Sequence, residues 1–216
     1  MKVKWLGHAS FLITSDAGTK IITDPYVCGG PLEYGEIKES ADIVTVSHDH
    51  FDHNNVAAVG GKPKVVKEAG SVEIKGIKFS GMPTFHDEAR GSQRGNNIIF
   101  CFDVDGVRVC HLGDLGHRLS AKELGGLGKV DILLAPVGGN YTIDAKVATE
   151  ISNQVKPRVV IPMHYQNARC GNFPVAKVED FLQGKQGVSR QNASEVQFKK
   201  GALPAATQIV VLEPAL

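Results

Sequence analysis

Short runs of hydrophobic residues, separated by glycine and aspartate, predict that the first half of the chain is rich in β-strands. Gly7 and residues 16–18 carry turn signals, and Asp105-Gly106 is the strongest hairpin signal in the sequence. The run at 43–46 is largely hydrophobic, which is typical of a buried strand. The predicted strands span residues 3–6, 10–14, 20–23, 43–46, 65–66, 72–74, 77–79, 98–104 and 107–112.

In the second half of the chain, hydrophobic runs alternate with segments of helical periodicity. Asp144 is the predicted N-cap of the longest of these helices, and Pro157 lies just beyond its end. The glycine-rich residues 125–128 predict a turn that ends an earlier helix. The predicted helices span residues 119–124, 145–155 and 175–182, and the predicted strands span 132–134, 159–161 and 208–212.

This order of elements predicts an α/β fold in which helices cover β-sheets. A helical bundle does not fit the many strands, and a doubly wound nucleotide-binding fold would need a G-x-G-x-x-G or P-loop motif, which the sequence lacks. A length of 216 residues suits a single domain, and we expect residues 1–216 to form one.

Composition and charge narrow the function classes. Hydrophobic residues make up 42% of the chain and charged residues 22%, which is ordinary for a globular protein. A net charge of +1 gives no electrostatic reason to expect a nucleic-acid or membrane partner. The four cysteines are scattered, and the first residues lack the pattern of a signal peptide, so we expect a cytoplasmic protein. The sequence does not indicate an oligomeric state.

The segment Ser-His-Asp-His-Phe-Asp-His at 47–53 directly follows a predicted strand and concentrates metal-binding side chains. His48 and His50 project to the same side of an extended chain. Asp52 and His53 lie where the chain turns, so their side chains can face a second position close to the first. Imidazole and carboxylate ligands together suit zinc, manganese, iron or nickel. A polar surface loop rich in histidine and aspartate is the alternative, but such side chains are costly to bury unless paired or coordinated.

Later strand ends supply further candidates for the same site. Asp114 and His164 each follow a predicted strand, which favours them as ligands over ordinary structural residues. An isolated histidine is often only a hydrogen-bonded structural residue, and this alternative stays open for the others. The candidates are His86, His111, Asp114, His117 and His164.

These residues together resemble the metallo-β-lactamase superfamily, whose motif is H-x-H-x-D-H followed by one His, one bridging Asp and a final His. Within it the chain is similar to the branch that contains L-ascorbate-6-phosphate lactonase. The resemblance covers roughly residues 1–170. The motifs of that branch are Gly7-His8-Ala9-Ser10, Thr23-Asp24-Pro25, Leu112-Gly113-Asp114, the segment at 136–142 and Ile161-Pro162-Met163-His164-Tyr165.

The resemblance implies a four-layer αββα sandwich, in which two mixed β-sheets pack face to face with helices outside. It also implies two divalent metal ions per chain. His48, His50 and His86 would hold one ion, and Asp52, His53 and His164 would hold the other, with Asp114 as the bridge. His111 competes with His86 as the third ligand of the first ion, although the family's spacing to the bridging aspartate favours His86.

Two further residues match family positions near the metals. Asp24 and His8 could orient ligand histidines through hydrogen bonds. The alternative for Asp24 is a turn residue before Pro25, and the alternative for His8 is a polar residue at a strand end.

The chemistry implied by the resemblance is hydrolysis of a small ester or lactone by a hydroxide that bridges the two metals, with zinc as the expected ion. Asp52 is then the expected catalytic residue, because its carboxylate would position the hydroxide and accept a proton. Arg90 and Arg94 follow His86 in a glycine-rich loop and could bind an anionic group, although a solvated loop also explains them.

Two other functions stay open. The superfamily includes phosphodiesterases and nucleases, but the near-neutral charge and the lack of an RNA-binding arm disfavour them. A non-catalytic scaffold would usually have lost metal ligands, whereas every expected position is filled here. We therefore expect a small-molecule substrate.

Overall fold

The computed structural model describes residues 1–216, which form fourteen strands, three α-helices and two short 3₁₀ turns. The helices are α1 (Ala121–Leu127), α2 (Ala145–Val155) and α3 (Val178–Leu182), and the 3₁₀ turns are Val56–Ala58 and Lys200–Ala202. The strands are β1 (Lys2–Gly7), β2 (Ser10–Thr14), β3 (Lys20–Thr23), β4 (Ser40–Thr45), β5 (Gly60–Val66), β6 (Gly70–Ile74), β7 (Ile77–Phe85), β8 (Asn96–Val104), β9 (Val107–His111), β10 (Ile132–Pro136), β11 (Val159–Met163), β12 (Val188–Arg190), β13 (Glu195–Gln197) and β14 (Gln208–Val211).

The strands form two mixed sheets. The six-stranded sheet has the order β13-β1-β2-β3-β4-β5, and its last three strands run parallel. The eight-stranded sheet has the order β12-β14-β11-β10-β9-β8-β7-β6. Its half from β12 to β9 is parallel, and its half from β9 to β6 is antiparallel. The predicted α/β sandwich of two mixed sheets is therefore confirmed.

The main core lies between the sheets and follows the alternation of side chains along each strand. Trp5, Phe11 and Ile43 point from the six-stranded sheet into this core. Leu12 and Val44, which alternate with them, belong to a second hydrophobic cluster on the opposite face of the same sheet.

The layers outside the two sheets differ from each other. Helices α1 and α2 pack on strands of the eight-stranded sheet, and α3 packs on α2. The outer face of the six-stranded sheet is covered mainly by non-helical chain, with Tyr26, Leu32, Tyr34 and Ile37 buried against it. The prediction of helices outside both sheets therefore needs correction: one outer layer of the four is not α-helical.

Several element boundaries also differ from those predicted. Asp144 caps α2 as predicted, with its carboxylate accepting the N–H of Val147 at 2.8 Å. The turn that ends helix α1 was predicted at residues 125–128, but the helix continues through Gly125 and Gly126 to Leu127, and only Gly128, with φ 69°, caps its end. Helix α3 is shorter than predicted, and the strands β12 and β13 were not predicted. No helix is long and hydrophobic enough to cross a membrane.

Candidate metal centre

The predicted ligands all lie on segments that leave the C-terminal end of a strand. The histidine-rich segment follows β4, His86 follows β7, Asp114 follows β9 and His164 follows β11. These strands belong to both sheets, so the packing of the sheets brings their ends together at one edge of the sandwich. His8 and Asp24 follow β1 and β3 at the same edge, and His8, Asp24 and His164 have positive φ angles of 51°, 38° and 53°. Such left-handed backbone is uncommon outside glycine and often marks functional sites.

One group of ring nitrogens is formed by His48, His50 and His86, and these nitrogens lie within 4.8 Å of one another. Nε2 of His48 is 3.1 Å from Nδ1 of His50. Two nitrogens bound to one tetrahedral zinc ion would be separated by about 3.3 Å. The spacing of the two histidines therefore fits a shared cation.

A second group lies beside the first. His8, Asp52, His53 and His164 each offer a ligand atom, and these atoms also lie within 4.8 Å of one another. The Oδ2 atom of Asp114 lies 3.2 Å from Nε2 of His53, 3.3 Å from Nε2 of His164 and 3.3 Å from Nε2 of His86. Because His86 belongs to the first group, one carboxylate oxygen faces both groups.

Several polar atoms of the centre are buried without a hydrogen-bond partner. They are Nε2 of His53, Nδ1 of His86, Oδ1 of Asp114 and both ring nitrogens of His164. Unpartnered buried polar atoms are rare because each one costs about 1–3 kcal/mol. Bound cations would satisfy Nε2 of His53, Nε2 of His164 and Oδ1 of Asp114, so these side chains fit a divalent metal with nitrogen and oxygen ligands.

The protonation states of His48 and Asp114 suit metal binding, which needs neutral imidazoles and ionised carboxylates. Burial lowers the pKa of His48 to about 3, so its ring is neutral at neutral pH. Burial alone would raise the pKa of Asp114, but His164 and His53 hold it well below its ordinary value. Asp114 is therefore ionised.

Asp24 orients one histidine of each group. Its Oδ2 atom accepts hydrogen bonds from Nδ1–H of His53 at 2.9 Å and from Oγ–H of Ser47 at 2.5 Å. The Oγ atom of Ser47 in turn lies 2.9 Å from Nδ1 of His48, and the N–H of Ser47 donates to Oδ1 of Asp24 at 2.8 Å. With Nδ1 of both rings protonated in this way, Nε2 of both rings is left as the electron-pair donor.

His8 contacts the carboxylate of Asp52, with Nε2 of the ring 3.2 Å from Oδ2. The ring is buried, and its centre is 4.2 Å from that of His164. Burial and the neighbouring His164 lower the pKa of His8 to about 4. His8 is therefore a neutral ring that can donate Nε2–H to Asp52.

The alternative third ligand, His111, is occupied elsewhere. Its Nε2–H donates to the carbonyl of Ala9 at 2.8 Å, and its Nδ1 accepts the N–H of Gly113 at 3.1 Å. His117 is half-buried, and its Nε2 accepts the N–H of Phe85 at 3.2 Å. The structure thus places His86, and neither of these two, beside His48 and His50.

Asn97 also supports the centre, although its role is not apparent from the sequence. Its Oδ1 atom accepts the N–H of Asp114 at 3.0 Å. Its side-chain amide donates to the carbonyl of Leu112 at 3.0 Å and to Oγ1 of Thr84 at 2.8 Å. These bonds fix the turn on which Asp114 lies.

Two glycines allow ligand-bearing segments to pack closely. A Cβ atom on Gly116 would lie 2.2 Å from the backbone carbonyl carbon of His86, and one on Gly138 would lie 2.2 Å from the backbone oxygen of His164. Both distances are far below van der Waals contact. A side chain at either position would therefore displace a ligand histidine.

A pocket of about 580 Å³ opens over the metal centre. Its floor contains His50, His86, Asp52, Asp114 and His164, and its walls contain Pro31, Phe51, Tyr141, Phe173 and Pro174. Arg94 also lines the pocket, with its guanidinium carbon 5.5 Å from the centre of the Tyr141 ring. Arg90, the other arginine that the sequence offered as a possible anion-binding residue, is exposed and does not line this pocket.

Comparison with known proteins gives consistent matches over most of the chain. A family model described as a beta-lactamase superfamily domain matches residues 2–164. A UPF0173 metal-dependent hydrolase from Pelotomaculum thermopropionicum is 30% identical over 92% of this chain and 96% of that protein. A UPF0173 metal-dependent hydrolase from Thermococcus kodakarensis is 33% identical over 76% of this chain and 84% of that protein.

Solved structures show the same fold. A Thermotoga maritima protein, described as a Zn-dependent hydrolase of the metallo-beta-lactamase superfamily, matches with a TM-score of 0.81 and 35% identity over 98% of each chain. The metallo hydrolase Igni18 from Ignicoccus hospitalis matches with a TM-score of 0.68 over 99% of this chain and 95% of that one. Its identity of 22% relates the two proteins by fold alone.

Proposed function

This chain belongs to the metallo-β-lactamase superfamily, and we propose that it is a metal-dependent hydrolase that uses two divalent ions to open small esters or lactones. The observation that carries the proposal is the position of Asp114, whose single oxygen Oδ2 faces ring nitrogens of both histidine groups at 3.2–3.3 Å. A carboxylate that is shared in this way suits two neighbouring ions better than one.

We propose that His48, His50 and His86 hold one ion, and that Asp52, His53 and His164 hold the other. Zinc is the preferred ion, because five of these six side chains are histidines, and the sixth is a carboxylate, with ligand atoms close enough together to share small cations. Manganese, iron and nickel accept the same ligands. When bound, the ions would lower the pKa of water so that hydroxide is available near neutral pH, and they would polarise the bond to be cleaved.

The proposed role of Asp52 is to orient the attacking water and accept its proton. Its carboxylate lies in the floor of the pocket, where it is 3.2 Å from His8 and 3.7 Å from Nε2 of His53. The hydrogen bond from neutral His8 fixes one carboxylate oxygen and restricts rotation of the group. Holding a reacting group in one orientation is a large part of catalysis in a preformed site.

The pocket suits a small substrate with a hydrophobic part. Phe51, Phe173 and Pro174 line the walls, and the side chain of Phe51 is 54% exposed although it adjoins the metal centre. A lactone or ester could place its carbonyl at the metals and its carbon chain against these rings.

Metal analysis combined with a substrate screen tests the proposal. We expect the protein reconstituted with zinc or manganese to hold two ions per chain and to hydrolyse lactones or carboxylic esters faster than phosphodiesters. Protein that holds two ions yet cleaves only phosphodiesters or RNA would replace this proposal with the nuclease function. Protein that binds no metal would contradict the hydrolase function itself.

A further inference from the structure

Asp87, the residue directly after His86, is buried at 3% exposure, although its carboxylate touches no cationic side chain. Each of its oxygens instead accepts two backbone hydrogen bonds from the loop that follows. The four donors are the N–H groups of Ala89, Gly91, Gln93 and Arg94, at 2.8, 2.8, 3.0 and 2.8 Å. The loop at 88–95 is therefore wrapped around a single ionised group, and hydrogen bonds to a charged acceptor are among the strongest in proteins.

Arg94 lies near the end of this loop, and its side chain lines the pocket over the metal centre. Its own N–H is one of the four donors to Asp87, and its guanidinium lies over the ring of Tyr141 at 5.5 Å. These contacts fix both ends of the residue. A planar guanidinium that is held by stacking keeps its N–H groups free for a planar acceptor.

The guanidinium of Arg94 has no carboxylate partner. Arg108, Arg118 and Arg190 each form an ion pair with a neighbouring carboxylate, at distances between 2.8 and 2.9 Å. Arg94 is also the only lysine or arginine that lines the pocket over the metal centre. An unpaired cation at this position is available for a ligand.

We propose that Asp87 and Arg94 form an anion-recognition element, in which Asp87 fixes the loop and Arg94 binds a carboxylate or phosphate group that the substrate carries away from its scissile bond. This inference rests on the proposed hydrolase function and narrows its substrates to anionic esters and lactones. Arg94 determines specificity by direct contact, whereas Asp87 is a positioning residue that acts through Arg94. Because the loop is already ordered, the entropic cost of binding is reduced.

Paired model substrates test the role of Arg94. The probes are para-nitrophenyl valerate, which is neutral, mono-para-nitrophenyl glutarate, which has a terminal carboxylate at similar chain length, and the corresponding ester with a terminal phosphate. We expect Arg94→Ala to lower the ratio of kcat/KM for the anionic over the neutral ester by about 10- to 100-fold, the loss typical of a charge-assisted hydrogen bond. Arg94→Lys should give an intermediate ratio, because it keeps the charge without the planar fork.

Arg90→Ala is the matched control, because Arg90 lies in the same loop, is exposed and does not line the pocket. Its ratio should stay within about twofold of that of the native protein. The size of the Arg94 effect on each anionic ester distinguishes recognition of a carboxylate from recognition of a phosphate. Equal ratios in the native protein, Arg94→Ala and Arg90→Ala would overturn the inference while leaving the hydrolase function standing. A zinc-loaded native protein that cleaves none of these esters would instead contradict the proposed function.

Asp87→Asn tests the positioning role. The amide keeps the shape of the side chain but turns an NH₂ group toward two backbone N–H donors, so two hydrogen bonds are lost. We expect KM for the anionic ester to rise about three- to tenfold, with kcat and the metal content unchanged and with faster hydrogen exchange at the four donor amides. A general structural defect would lower kcat or metal content instead, and that result would contradict a role limited to positioning.

Gly91→Ala disturbs the same loop without changing the carboxylate. Gly91 has a φ angle of +81°, and a Cβ atom there would lie 2.9 Å from the backbone oxygen of Gly95. We expect this variant to reproduce the rise in KM for the anionic ester. An unchanged KM in both Asp87→Asn and Gly91→Ala would show that the loop does not position Arg94.

Discussion

Asp114 and His86 follow two strands of the eight-stranded sheet that are separated by a third, yet Oδ2 of Asp114 lies 3.3 Å from Nε2 of His86. The same oxygen faces His53 and His164 at similar distances. The strand order thus places one carboxylate between two sets of histidines. This relationship underlies the assignment of two metal ions.

Asp114→Asn should reduce the bound metal from two ions per chain to one or none, because a neutral amide is a far weaker ligand than a carboxylate. Hydrolysis should fall by at least about 100-fold as the shared ligand is lost. Elemental analysis and ester hydrolysis measure both effects. Asp49→Asn makes the same chemical change at an exposed position of the histidine-rich segment and should keep both ions. Two ions and full turnover in Asp114→Asn would remove the bridging role.

Ser47→Ala should weaken metal binding about 10- to 100-fold, since the hydroxyl links Nδ1 of His48 to Asp24 and so orients the ring. Competition with a chromogenic chelator measures the affinity. Ser71→Ala, which changes an exposed serine of β6, is the control. If Ser47→Ala binds metal as tightly as the control, the hydroxyl of Ser47 is not needed to orient the ring of His48.

His8→Ala should lower kcat by about tenfold with both metal ions retained, because Asp52 loses the hydrogen bond that fixes its orientation. His8→Gln retains an N–H donor of similar reach and should recover part of this loss. Steady-state kinetics with metal analysis separates the two variants. If His8→Ala instead loses one ion, His8 acts as a ligand of the second group, which its position also allows.

The metal-free protein should become less stable as the pH falls from about 6.5 toward 4. Burial lowers the pKa of His8 to about 4 and that of His48 to about 3, from an ordinary value of 6.5. The unfolded chain binds protons at these groups before the folded chain does, so their contribution is complete above pH 6.5 and is lost as the pH falls.

The pKa shift of His53 changes the stability with pH in the opposite direction. Burial alone would lower its pKa, but Asp114 raises it well above its ordinary value, so its contribution is present at low pH and is lost as the pH rises. The contribution of His53 is already complete below pH 6.5, whereas the contributions of His8 and His48 are lost there, so Tm should drop by several degrees between about pH 6.5 and pH 5 in the presence of EDTA. His8→Gln should reduce the change of Tm with pH, because glutamine does not bind a proton in this range. A Tm that rises on acidification would contradict the assigned shifts.

The sequence was sufficient to place most strands along the first half of the chain and to find the ligand candidates, because both depend on local patterns. It could not decide between His86 and His111, since both lie near strand ends. The decision comes from tertiary contacts, because the ring of His111 is bonded to the carbonyl of Ala9, in the turn between β1 and β2 of the other sheet. Such a hydrogen bond cannot be inferred from the spacing of residues along the chain.

Ser47, Asp87 and Asn97 were missed for a related reason. Each acts through hydrogen bonds that exist only after folding, and Asp87 binds backbone amides, which any sequence supplies. Strands β12 and β13 have only three residues each and are largely exposed, so they lack a hydrophobic pattern. The non-helical layer over the six-stranded sheet was missed because its buried tyrosines follow no regular period.

Anomalous diffraction at the zinc edge, from crystals grown with excess zinc, tests the central claim most directly. We predict two peaks, one among His48, His50 and His86 and the other among Asp52, His53 and His164, with Asp114 between them. A single peak, or two peaks that do not share Asp114, would contradict the binuclear centre and the mechanism proposed for it.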